Sequence, residues 1–161
     1  MSRWRGRGWV VPLCVVVALL LGLVPMPQVL QSWRPFWLAL IVAYMVIELP
    51  DRMGIGRAFL LGLVADMLYG ALLGEHALRL VLLTFVLQHF RARMRFFPVL
   101  QQAMIIGLLL LADRALTALL HVMLGQTLQP LAWWCAPLVA VLLWPLLFVL
   151  LDRIGQGRRG R

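Results

Sequence analysis

The sequence predicts an all-α, polytopic membrane protein, a compact bundle of six transmembrane helices, and three observations carry that reading. Hydrophobic residues make up 63% of the chain, against about 45–50% in soluble domains, and the mean hydropathy is +0.94. The apolar residues fall into stretches broken by short Pro-, Gly- and Arg-bearing segments. The basic residues are all arginine, and they gather between alternate stretches. At about 20 residues per span, 161 residues leave little chain for a water-soluble domain. Residues 1–161 therefore read as one integral membrane domain, without internal repeat or low-complexity block.

The first apolar stretch, residues 9–24, follows a leader bearing Arg3, Arg5 and Arg7. A secretory signal would need a small-x-small cleavage site after its apolar run. Pro25-Met26-Pro27-Gln28 follows instead, so an uncleaved first helix is expected. The second span, 36–49, opens after Arg34-Pro35 and closes at Pro50-Asp51-Arg52. The third is 57–73. The fourth, 77–90, offers about 14 residues, or about 21 Å of helix against a hydrocarbon core of about 30 Å. It is expected to thin the bilayer or to borrow its neighbours' loops. The fifth span is 98–124 and the sixth 131–151. Cys14 and Cys135 lie inside apolar runs, with no CxxC or Cys/His spacing, and read as buried small hydrophobes.

Arginine placement tests the count, because cytoplasmic segments hold the excess positive charge. With six spans and both termini cytoplasmic, twelve of the fifteen arginines are inside: Arg3, Arg5 and Arg7, then Arg52 and Arg57, then Arg91, Arg93 and Arg95, then Arg153, Arg158, Arg159 and Arg161. Only Arg34 lies in an outer connection, while Arg79 and Arg114 fall within spans. A five-helix arrangement would strand one basic cluster on the wrong side. The net charge of +9 is thus a topology signal and an attraction for anionic membrane lipids, not a nucleic-acid surface. The longest outer connection runs only from Met26 to Pro35. Partners must then meet the protein within the bilayer or at small rims, and no outer polar cluster is evident. Trp4, Trp9, Trp33, Trp37, Trp133 and Trp134 fall near span boundaries, where aromatic belts form.

Polar residues inside the spans need a reason. Asp66 sits near the middle of the third, where an ionised carboxylate costs about 3 kcal/mol. It is expected to pair with Arg114 or Arg79 across a helix interface and to fix helix register, in preference to a proton relay, for which the other spans offer too few groups. Arg79, near the outer start of the fourth span, is expected to extend its head group to the interface. Asp113 and Arg114 are neighbours and point about 100° apart, so they cannot both face one partner squarely. His76, His89 and His121 lie near span ends without metal-ligand spacing and read as solvated or packing residues. Ala58, Gly62, Asp66, Gly70 and Gly74 recur every fourth residue, a small-residue stripe that lets helix backbones approach closely. It reads as the packed centre of the bundle, with a homodimer seam as the rival; Ala18 and Gly22 offer a shorter version. No P-loop, HExxH or GxSxG occurs. Neither an enzyme nor a cofactor is expected.

Arg34-Pro35-Phe36-Trp37, Leu49-Pro50-Asp51-Arg52, the run from Gly62 through Asp66 to Gly70, and Leu73-Gly74 resemble the MreD family of rod shape-determining proteins. Asp113, Leu143-Trp144-Pro145 and the basic tail extend the likeness to its proteobacterial form. The resemblance implies a non-catalytic scaffold of the bacterial inner membrane that binds MreC. The complex so formed would link MreB filaments to the RodA polymerase and its penicillin-binding transpeptidase in peptidoglycan synthesis. It also implies a fold similar to the substrate-binding component of energy-coupling-factor transporters. A rival class follows from that fold: a small-molecule-binding subunit for vitamin uptake.

Overall fold

The computed structural model describes residues 9–25, 27, 33–125 and 130–156. The leader with Arg3, Trp4, Arg5 and Arg7, Met26 and Gln28, and the tail with Arg158, Arg159 and Arg161 lie outside the described residues. Among those described there are six α-helices and no strand: α1 Val10–Leu23, α2 Trp37–Glu48, α3 Ile55–Tyr69, α4 Glu75–Met94, α5 Val99–Met123 and α6 Ala136–Gln156. Short 3₁₀ turns at Pro50–Arg52 and Leu131–Cys135 precede α3 and α6.

The centre of the bundle is α2. Every residue from Leu38 to Ile47 is buried, which is the mark of an apolar helix enclosed on all sides. It packs on α1, α4 and α6, while α3–α4 and α5–α6 form antiparallel pairs around it. Its length is set by proline. Leu49, at φ −129° and ψ 56°, has left the helix, because the residue before a proline is driven out of the α region, and Pro50 then starts the 3₁₀ turn. Among the described residues, only Val99–Met123 and Leu131–Ile154 are long and apolar enough to cross a membrane by length and composition.

The outer surface is hydrocarbon. Leu138, Leu142, Leu146 and Leu150 on α6 and Leu100, Met104, Leu108 and Leu111 on α5 are exposed at helical spacing. In water such contiguous patches would be an aggregation liability; against lipid they cost nothing. The described buried polar residues, Asp66, Arg79, Thr84, Gln102 and Thr117, point the other way. Gln102 shows how these groups are used: its Nε2 donates to Met94 O at 3.0 Å and Phe97 O at 3.3 Å. It thereby satisfies carbonyls that a helix end leaves unpaired. At the same end Gln88 donates to Met53 O and Arg91 to Ile47 O, so α4 holds the α2–α3 turn.

Several boundaries differ from the sequence reading. The fourth helix is not short: it runs on through Arg91 and Arg93 to Met94, making about 30 Å at 1.5 Å per residue. Cations in a helix's last turn are favoured by its dipole, so arginines that read as loop belong to helix. The third helix ends at Tyr69, because Gly70 (φ 63°) and Gly74 (φ 98°) are left-handed, a region that glycine enters without steric cost. Gly70 and Gly74 are therefore turn residues and not rungs of a packing stripe. Cys14 and Cys135 are half-buried, not fully enclosed.

Ala58 and Gly62 do pack, together with Ala65 and Asp66, on the buried side of α3. A Cβ on Gly62 would fall on the backbone of His76 and Ala77, so this face is spent within the chain and cannot be a seam between two copies. Gly62→Ala would gain about 1 kcal/mol of helix propensity. It must also push main chain aside, and overpacking costs about 1–3 kcal/mol. Net destabilisation is expected, read as a lower thermal midpoint in detergent. Gly56→Ala on the same helix, with nothing within 4 Å of its Cβ, should raise the midpoint or leave it unchanged.

Candidate functional site

The α3–α4 turn organises one end of the bundle. Gly74 is the N-cap of α4 and has no side chain to cap with, so the first N–H groups of α4 need an acceptor from elsewhere. Asp66, 1% exposed, supplies it. Gly74 N–H donates to Oδ2 at 2.8 Å and His76 N–H to Oδ1 at 2.8 Å. His76 Nδ1 lies 2.9 Å from Oδ1. With the carboxylate ionised, Nδ1 must be the protonated nitrogen, since both carboxylate oxygens are acceptors only. The charge rests on the positive end of the α4 dipole.

The expected pairing of Asp66 with Arg79 or Arg114 is thus not the one formed. The reason is geometric. The two glycines turn the chain so sharply that α4 begins directly over Asp66, and its N-terminus reaches the carboxylate before any arginine can. One helical turn beyond Glu75, Arg79 faces α5 instead. Its Nε donates to Asp113 Oδ1 at 2.8 Å and its Nη2 to Oδ2 at 2.6 Å, a bidentate fork. Glu75 adds a second carboxylate 3.6 Å from Nη1, and the Phe36 ring lies 4.4 Å from Cζ. Arg79 does not extend to an interface: its side chain is 9% exposed.

Arg114, offset by about 100° from Asp113 on the helix, has other direct partners. Its guanidinium stacks on Trp133 at 4.1 Å and donates to Arg34 O at 3.2 Å. Arg34 in turn donates to Leu21 O at 2.7 Å, tying the second helix's start to the end of α1. His121 Nε2 lies 3.5 Å from Glu75 Oε2. These groups line a cleft of about 460 Å³ together with Tyr69, His76 and Trp133.

The sequence reading found no polar cluster at this end, and the cleft corrects it. Arg34, Glu75, His76, His121 and Trp133 do not read as a set in the sequence because they come from four separate segments. One signal was available: Arg114, Thr117 and His121 fall at i, i+3 and i+7, one face of α5. Of the residues that were singled out, Arg79 and Asp113 are brought together. Asp66 and Arg114 each sit apart with other partners, and Ala58 and Gly62 lie down α3 away from the cleft. Among the described residues no group of three His, Cys, Asp or Glu is placed to hold a metal.

Among the described residues, an all-helical body with a hydrocarbon exterior and the charges of Asp66 and Arg79 buried inside is that of a membrane protein. The chain belongs to the MreD family: it matches the family described as rod shape-determining protein MreD over residues 5–154. It is similar to the rod shape-determining protein MreD of Haemophilus influenzae, with 31% identity over 139 residues, 86% of each chain. No solved structure matches it. Family membership gives the chain a role in rod shape determination.

Removing one partner of a buried ion pair costs about 3–5 kcal/mol when the other charge is left uncompensated, and Glu75, 3.6 Å from Arg79 Nη1, offsets only part of that here. Asp113→Ala should therefore unfold at a markedly lower temperature in detergent, and the apolar double variant Arg79→Met/Asp113→Leu should regain most of the loss. Asp66→Asn leaves an acceptor but removes the charge from the helix N-terminus, so a smaller cost of about 1–2 kcal/mol is expected. Recovery of both proteins to the same midpoint would contradict the distinct roles assigned to the two carboxylates.

Proposed function

We propose that the chain is a non-enzymatic, six-span scaffold of the bacterial inner membrane, with its helix-rich body resembling the substrate-binding component of energy-coupling-factor transporters. It binds MreC and takes part with MreB, RodA and the penicillin-binding transpeptidase in wall synthesis during elongation. The observation that carries this reading is family membership across residues 5–154, and the physical features of the chain support it.

Helix ends sort by charge. The α2–α3 and α4–α5 turns and the end of α6 carry Arg52, Arg57, Arg91, Arg93, Arg95 and Arg153, while the opposite end carries Arg34, Arg79 and Arg114. The first set faces the cytoplasm if the positive-inside rule holds, and both chain termini then lie on that side. The short length of α2, about 18 Å, is no obstacle to a transmembrane position. Its flanks, including Phe36 and Leu49, pack within the protein, and irregular backbone is tolerated at membrane depth where protein covers it.

The cleft gives a second reading specific support: a small-molecule-binding subunit of the vitamin-uptake type. Purification in mild detergent separates the two. A stoichiometric vitamin would favour the transporter, and a co-purifying partner with one membrane helix and a coiled coil would favour the scaffold.

In a rod-shaped host, depletion of this chain is expected to round the cells, and expression of the chain to restore rods. Rods that persist through complete depletion would overturn the elongation role. Reporter fusions at the 91–95 end of α4 should report a cytoplasmic position; a periplasmic signal there would overturn the topology.

A further inference from the structure

The polar cleft shares a wall with a second cavity. Between α1, α2 and α6 runs an apolar groove of about 510 Å³, bounded by Leu13, Val17 and Leu21 on one side and Leu143, Leu147 and Leu150 on the other. Trp37 lines both groove and cleft, and its indole N–H is buried with no acceptor among the described residues. The groove follows α1 from Trp9 to Leu21, a rise of about 18 Å. One leaflet's share of a hydrocarbon core is about 15 Å. A channel this long and this apolar matches an extended alkyl chain better than a compact solute.

At the head of the groove three arginines meet three carboxylates, but the pairing is uneven. Arg79 is matched by Asp113 and Glu75, Glu75 also faces His121, and Asp66 is taken up by the α4 N-terminus and His76. Arg34 and Arg114 have no carboxylate partner among the described residues. Each spends one nitrogen on a backbone carbonyl and retains most of the five N–H donors of a guanidinium. A planar fork of that kind matches phosphate oxygens. Trp33 and Trp133 lie at the same end, and interfacial tryptophans sit at head-group depth. Phosphate is the anion a bilayer presents there, directly above hydrocarbon.

We propose that cleft and groove together form a lipid site: Arg34 and Arg114 bind the phosphate of a membrane amphiphile, and one of its hydrocarbon chains descends past Trp37 between α1 and α6. The site needs the chain to be embedded in a bilayer but does not need a protein partner. Its failure would leave the cell-rounding result untouched, and the converse also holds.

The test uses the intact chain in mild detergent, native mass spectrometry and three probes: phosphatidic acid, the diacylglycerol with the same acyl chains, and inorganic phosphate. Retention of one phosphatidic acid per chain, at least tenfold tighter than diacylglycerol and not displaced by millimolar phosphate, is expected. Arg34→Gln/Arg114→Gln should weaken that retention at least tenfold. Val17→Trp, which fills the groove away from the arginines, should do likewise. A measurement on unaltered binding residues guards against misfolding: Cys14 lines the groove, and in a Cys135→Ser background its alkylation should slow at least fivefold with phosphatidic acid but not with diacylglycerol. Equal retention of the two lipids, or unchanged alkylation, would overturn the site. Inorganic phosphate binding as tightly as the lipid would reassign the cleft to a soluble anion. Cross-linking of Cys14 to a co-purified polypeptide would reassign the groove to a partner helix. Either reassignment also overturns the proposal.

Discussion

One carboxylate sets the frame for the cleft end of this protein. Asp66 stands in the last turn of α3 and accepts from Gly74 N–H, His76 N–H and His76 Nδ1. A carboxylate buried in a membrane interior is costly unless its lone pairs are used, and a helix N-terminus is costly unless its N–H groups are. Each cancels the other's penalty. Because the bonds run to two backbone donors and one ring, they fix where α4 starts and how it is rotated about its axis. That rotation carries Arg79 onto the α5 side, where Asp113 waits, and Glu75 into reach of both Arg79 and His121.

The same turn explains why close packing follows. In lipid there is no hydrophobic drive between helices, so van der Waals contact and interhelical hydrogen bonds must supply the association energy. With α4 anchored by its first turn, the backbones of Gly62 and Ala77 meet directly, and a Cβ at 62 would lift the anchor itself. The Arg79–Asp113 pair extends the arrangement to α5. A buried ion pair contributes little net stability compared with apolar residues of similar size. Its value here is register: only one rotation of α4 against α5 closes a two-point fork with Asp113 while Arg114, the next residue, lies over Trp133.

Much of this architecture was legible in the sequence, and the failures have physical causes. Six apolar stretches separated by proline, glycine and arginine give six helices, because backbone breakers and charge act locally. The end of α4 is hidden in the sequence because a run of arginines reads as loop, although Arg91 and Arg93 complement the helix's negative terminus. The stripe from Ala58 to Gly74 has an unbroken period of four, yet only its first half is helix. Periodicity cannot distinguish a glycine that packs from a glycine whose φ is positive. Asp66, Arg79 and Asp113 stand out as charges in apolar context, but the expected pairing of Asp66 with Arg79 or Arg114 and the expected reach of Arg79 to the interface both fail. Which carboxylate meets which cation depends on the rotation of α4, set by a turn whose two left-handed residues carry no pattern.

The division of the molecule into two ends then follows from where charge has been satisfied. Around the cleft nearly every charge has an internal partner, and the two guanidiniums that lack one, Arg34 and Arg114, are held in place by carbonyls and an indole face. Contacts of this kind orient a cation without neutralising it. At the other end Arg91 reaches the Ile47 carbonyl and the exposed Arg93 and Arg95 crowd one short turn, a density of like charge that favours an anionic surface. Between the two ends stands α2, buried over ten consecutive positions. The α2 core thus separates two chemically different rims, with an apolar groove along the flank.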